Sequence, residues 1–141
     1  NVWFITVTGA SANLMKAITC IINSTIFTVL GKSGANPQSG GYYKFNKQFL
    51  MPIPFPLKAV TEKADCVAKL AKYYTEISEL QEQYLSAAFN TKEIIAGQLR
   101  QLWIELDDIC YSLYKVTDQE KQQIINMGRT VSRIDLLNGV K

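Results

Sequence analysis

The sequence predicts an α+β chain that is mostly α: a small mixed α/β portion, then a long antiparallel helical hairpin and a short third helix. Three observations carry this. Every proline, and most of the glycine, falls before residue 57. Beyond it the apolar period changes from two to a three-and-four alternation, the mark of a helix face. Finally, Ile95, Leu99, Leu102, Leu106, Ile109, Leu113 and Val116 keep a 4-3-4-3-4-3 spacing, which predicts a long helix packed along one stripe. These divide the chain into residues 1–57 (strand, helix, loop, Pro-rich strand) and residues 58–141 (hairpin and terminal helix).

The elements follow in order. Val2, Phe4 and Ile5 to Val7, ahead of Gly9, predict a short buried strand ending in a turn. Ser11 is placed to cap a helix over about residues 12–30, carried by Leu14, Ile18, Ile21, Ile22, Phe27, Val29 and Leu30 and ended by Gly31 or Gly34. Lys16, Asn23, Ser24 and three threonines make this stretch too polar for a membrane span, so it is expected to be a buried helix. Residues 31–41, GKSGANPQSGG, predict an exposed loop. In FLMPIPFPL, Pro52, Pro54 and Pro56 strip alternate N–H donors from one edge, which predicts an edge strand or polyproline stretch, or a plain connector. Val60, Val67, Leu70, Tyr74, Ile77 and Tyr84 predict a helix of about 30 residues. Asn90 with Glu93, and Thr117 with Glu120, read as capping boxes that open the next two helices.

The composition excludes more than it assigns. Histidine is absent, which removes the commonest general base and zinc ligand, so the chain is not expected to catalyse a reaction by itself. Cys20, Cys66 and Cys110 stand singly inside helical stripes, as small hydrophobes do, and fit a reducing, cytoplasmic setting. Asp107 with Asp108, and Glu79 with Glu82, read as solvated helix faces, and no metal site is expected. An initial asparagine and the lack of a signal peptide suggest a segment of a longer polypeptide.

Charge is unevenly spread. Residues 1–61 hold five lysines and no acid; residues 62–141 hold ten basic and twelve acidic side chains, and the whole chain is +3. A polyanion is expected to face the N-terminal half. Within it Lys32, Ser33, Asn36, Gln38, Ser39, Tyr42, Tyr43, Lys44 and Lys47 combine cations, amides, hydroxyls and aromatics, the groups that contact phosphates and base edges. An ordinary polar loop followed by a strand would explain the same residues. GKSG at 31–34 follows a helix rather than a strand, so it does not fit a phosphate-binding P-loop.

Four stretches together carry a resemblance: AITCIINSTIF (17–27), YYKFNKQFLMPIPFP (42–56), the long helix, and ELDDICYSLYKVTDQEKQQI (105–124). In order and spacing they resemble the C-terminal target-recognition region of type II restriction-modification DNA methyltransferases. Ile22, Asn23 and Ser24 match its LNS-like motif. Lys44, Phe45, Lys47, Leu50 and Ile53 to Phe55 match its K-F-x-K-x-x-L-x-x-I-P-I-P segment. Asp107, Tyr111, Leu113, Tyr114, Val116, Thr117 and Glu120 match the last signature. Ile22, Cys110, Lys115 and Val116 depart from the family's leucine, valine, glycine and leucine, and Lys115 for glycine predicts a less sharp turn there.

The resemblance implies sequence-specific recognition of double-stranded DNA through the nine residues named above. It also implies an upstream methyltransferase domain that binds S-adenosylmethionine and acts on adenine, with a fused nuclease left open. No Asn-Pro-Pro-Tyr motif or glycine-rich cofactor loop occurs in this chain. Two other readings stand beside it: part of a type I specificity subunit, or a coiled-coil module that self-associates through the hairpin without nucleic acid.

Overall fold

Ser11 and Ser24 set the start of the structure, because each side chain caps a helix. In the computed structural model, which describes residues 5–39, 43–44 and 47–128, Ser11 accepts from Leu14 N and opens α1 (Ala12–Ile22). The Ser24 hydroxyl donates to Ile21 O at 2.6 Å and accepts from Phe27 N, so it ends one helix and opens α2 (Thr25–Gly34). The single helix expected over 12–30 is therefore two, bent by 59°. Apolar residues run on through the bend because each helix buries a stripe of its own, Ile18 and Ile21 on α1 and Ile26 and Val29 on α2. Among the described residues no single helix is long and apolar enough to cross a membrane.

A two-residue antiparallel ribbon follows, β1 (Asn36–Pro37) with β2 (Tyr43–Lys44), in the register Asn36 to Lys44 and Pro37 to Tyr43. The loop expected over 31–41 is thus corrected: it is helical through Gly34 and paired at Asn36 and Pro37. Residues 5–7 form no strand, and Val2 and Phe4 lie outside the described residues. The proline run forms no strand either. A helical turn, α3 (Lys47–Leu50), passes into irregular chain whose few donors bond locally, Ile53 N to Leu50 O and Leu57 N to Phe55 O. Alternate prolines leave too few N–H groups for a ladder.

The helix expected after the prolines also breaks. A short α4 (Leu57–Thr61) stops at Glu62 and Lys63, and α5 (Ala64–Ser86) then runs for 23 residues. Ala87 and Ala88 turn the chain into α6 (Phe89–Tyr114), 26 residues long. The expected antiparallel hairpin is present: Tyr73 on α5 donates to Glu105 on α6 at 2.8 Å. Burial first, then Glu105, pushes the Tyr73 hydroxyl up to about 12, while Gln101 and Tyr73 hold Glu105 below the usual carboxylate range. Asn90 does not cap α6. The helix begins earlier, with Ala88 O accepting from Thr91 and Lys92 N, because the tight connection and the buried pair Tyr84 and Ile95 leave no room for a longer loop. Thr117 and Glu120 do form the second capping box, which opens α7 (Asp118–Gly128).

The core lies where α1 crosses α5 and where α6 backs the pair. Ile21, Val60, Leu70, Leu99 and Leu106 are at most 1% exposed, whereas Phe27, Val67, Leu102 and Ile109 of the same apolar stripes are only half-buried. The Cys20 thiol donates to Leu70 O at 3.3 Å, and the Lys16 ammonium donates to Thr75 Oγ1 at 3.2 Å, so α1 is tied to α5 at two depths. Residues from either side of the boundary at 57 thus share one core.

Lys115 ends α6 in the left-handed region, at φ 55° and ψ 37°. Its N–H donates to Ser112 O and that of Val116 to Tyr111 O, the pair of bonds of a Schellman turn. The turn is as sharp as a glycine would make it, contrary to the expectation from Lys115, and a side chain at such a φ is strained. Lys115→Gly is expected to stabilise the fold by about 1 kcal/mol, read by urea unfolding. A loss of stability would show that the Lys115 side chain holds the turn.

Candidate nucleic-acid interface

Charge and topology meet at the C-terminal end of α2. Lys32 lies in the last turn of α2, where a cation suits the helix dipole, and its ammonium sits 5.5 Å from the centroid of the Tyr43 ring on β2. Ala35 is buried at the base of the ribbon, while Asn36, Pro37, Gln38 and Ser39 are exposed. Tyr43 is 39% exposed, and Lys47, at the head of α3, is exposed. The structure thus brings Asn36, Tyr43 and Lys44 onto one ribbon, with Lys32 of α2 over the Tyr43 ring and Gln38 and Ser39 on the connecting loop. Tyr42 lies outside the described residues. The Ser33 hydroxyl donates to Leu30 O at 2.7 Å, which commits its proton within the helix.

Two lysines of the acid-free half are drawn elsewhere. Lys16 packs over Tyr74 on α5, and Lys58 faces Glu62 at 3.8 Å with both side chains exposed. Lys32, over the Tyr43 ring, and Lys47, exposed three residues beyond the ribbon, are cations of the kind that holds phosphates. An apolar groove of about 640 Å³ borders α3, lined by Ile18, Phe27, Leu50, Met51 and Phe55 together with Lys47.

One residue was misread from the sequence. Asp107, taken as part of a solvated face, accepts from Thr25 N at 2.8 Å and from Thr25 Oγ1 at 2.5 Å, across 82 residues of sequence. Its neighbour Asp108 pairs with Lys121 at 2.6 Å, and that ammonium also lies 5.4 Å from the Tyr111 ring. The signal available was its match to the acidic position of the last signature. Beside Asp107, the Cys110 thiol is pushed up to about 12, chiefly by burial and further by the Asp107 carboxylate, with Ser24 opposing. Burial alone pushes Cys20 to about 12, so both stay protonated thiols at neutral pH. Among the described residues no group of three or more acidic or cysteine side chains is placed to hold a metal ion.

These features define a helical scaffold that displays a small lysine-bearing β-ribbon. Comparison with protein-family models, with curated proteins and with solved structures finds no match for this chain.

Proposed function

We propose that the chain is part of the target-recognition region of a restriction-modification DNA methyltransferase and meets duplex DNA through the β1–β2 ribbon and the head of α3. The reading rests on one observation above all: the acid-free half sets Lys32 over Tyr43 on a two-stranded ribbon whose backbone includes Lys44, with the exposed Lys47 three residues further on. Such a ribbon is of a size that enters a major groove. The kinship with this family draws further support from Lys115, which takes a left-handed turn at the position where the family carries glycine. S-adenosylmethionine and the transfer step belong, on this reading, to an upstream domain.

The test is binding of the full-length polypeptide to cognate and scrambled duplexes at several salt concentrations. Affinity is expected to fall steeply as salt rises, since each phosphate contact contributes a slope of about 0.9 in the logarithmic plot. A second reading, assembly through the hairpin, is favoured by the exposure of Leu85, Phe89, Ile94 and Ile104 near the turn and along α6. No salt-dependent binding to any duplex would remove the DNA reading and leave that one.

A further inference from the structure

We infer that Asp107 is a positioning residue for DNA recognition: its carboxylate, by capping α2 through Thr25, sets the angle at which the ribbon meets the duplex. This rests on the proposed DNA reading and adds to it a residue remote from the ribbon.

The geometry is that of a lever. At the N-terminal end of α2, Thr25 N and Thr25 Oγ1 both donate to Asp107, one oxygen each. Ser24, just before, is fully buried and bonded to Ile21 O and Phe27 N. At the other end stand Lys32 and, one residue beyond Gly34, the buried Ala35 from which the ribbon departs. Ten residues separate the two ends. That is about 15 Å at 1.5 Å per residue, so a tilt of about 10° at the cap carries the ribbon roughly 2–3 Å. A base-edge hydrogen bond does not survive such a shift. A lysine on a flexible stem follows a phosphate through it.

The segment around Asp107 is itself held firmly. Lys121 on α7 pairs with Asp108, and α7 packs along α2 with Ile124 and Ile125 against the core. Asp107, the turn at Lys115 and α7 therefore form one mount for α2. This explains why the INS stretch at 22–24 and the signature from Asp107 to Glu120 occur together in this chain: one supplies the helix start that the other grips.

The experiment compares the full-length polypeptide with its Asp107→Ala and Asp107→Asn variants on cognate and scrambled duplexes across a salt series. Asp107→Ala should weaken cognate binding about tenfold or more while scrambled binding and the salt slope stay within about twofold, because phosphate contacts tolerate the tilt. Asp107→Asn keeps an oxygen that accepts from Thr25 N and gains an amide N–H that donates to Thr25 Oγ1, so it should restore cognate binding to near wild type. If Asp107→Ala does not fold, Thr25→Val, which removes only the hydroxyl donor, should show the same selective loss and Thr25→Ser should not. An unchanged ratio of cognate to scrambled affinity in the folded variants, or an equal loss on both duplexes, overturns the inference. Wild-type protein that binds no duplex overturns the DNA reading itself, and that failure shows without any variant.

Discussion

Leu106→Ala is expected to destabilise the fold by about 2–5 kcal/mol, the largest single effect anticipated for a side chain in this chain. Leu106 is fully buried on the face of α6 that backs α5, beside Leu99 and Cys110. Removing three heavy atoms there leaves a cavity that two long helices, pinned by a two-residue connection, cannot close by shifting. Leu102 belongs to the same apolar stripe but is only half-buried, so its replacement should cost clearly less. Urea unfolding of the two variants, read by far-ultraviolet circular dichroism, measures both. Equal losses, or a loss under about 1 kcal/mol for Leu106→Ala, would mean that the site collapses and that the two edges of the stripe are equivalent.

Changing Lys44 and Lys47 together to Ala should have the next largest effect, on DNA affinity rather than stability. Two lost phosphate contacts at about 0.9 each lower the salt slope by about 1.8 and, at 0.15 M salt, weaken every duplex by roughly 30-fold. Gln38, on the ribbon's connecting loop, should behave in the opposite way. Its replacement by Ala is expected to cost about 1–3 kcal/mol on the cognate site and to leave scrambled duplexes alone. Fluorescence anisotropy with both duplexes at four salt concentrations separates the two patterns. Unchanged affinity and slope in the double-lysine variant would refute the assignment and favour assembly through the hairpin.

The sequence disclosed the periodic parts and concealed the parts set by contacts between distant segments. Leu99, Leu106 and Leu113 announced α6 by spacing alone, but spacing could not show that Leu102 and Ile109 lie on the shallower edge of the stripe. That depth is set by α1 and α2, which cross the hairpin. Ser24 was legible as part of a motif and not as a helix break, since apolar residues continue through a bend whose two arms each bury a stripe. The capping box at Thr117 was legible because its bonds join residues three apart. Asn90 offered the same pattern and lost to the tight turn at Ala87 and Ala88. Of the candidate interface, charge asymmetry singled out a stretch of chain, yet the pairing of Asn36 and Pro37 with Lys44 and Tyr43 left no trace in propensity. Asp107 was hidden most completely, because its partner Thr25 is 82 residues away.

The two-residue link between α5 and α6 has a consequence for how the chain reaches this structure. Joining the hairpin arms at their turn closes a loop of two residues, whereas setting Cys20 against Leu70 closes one of 50. Loop-closure entropy grows with the logarithm of length, so the second step costs roughly 3 kcal/mol more before any contact offsets it. Hairpin formation is therefore the step of least entropic cost, and the basic half condenses onto a platform that local contacts already favour. The acid-free segment that would otherwise be the hardest part of the chain to collapse, by its own like-charge repulsion, meets in α5 and α6 two helices that carry eight of the chain's twelve carboxylates.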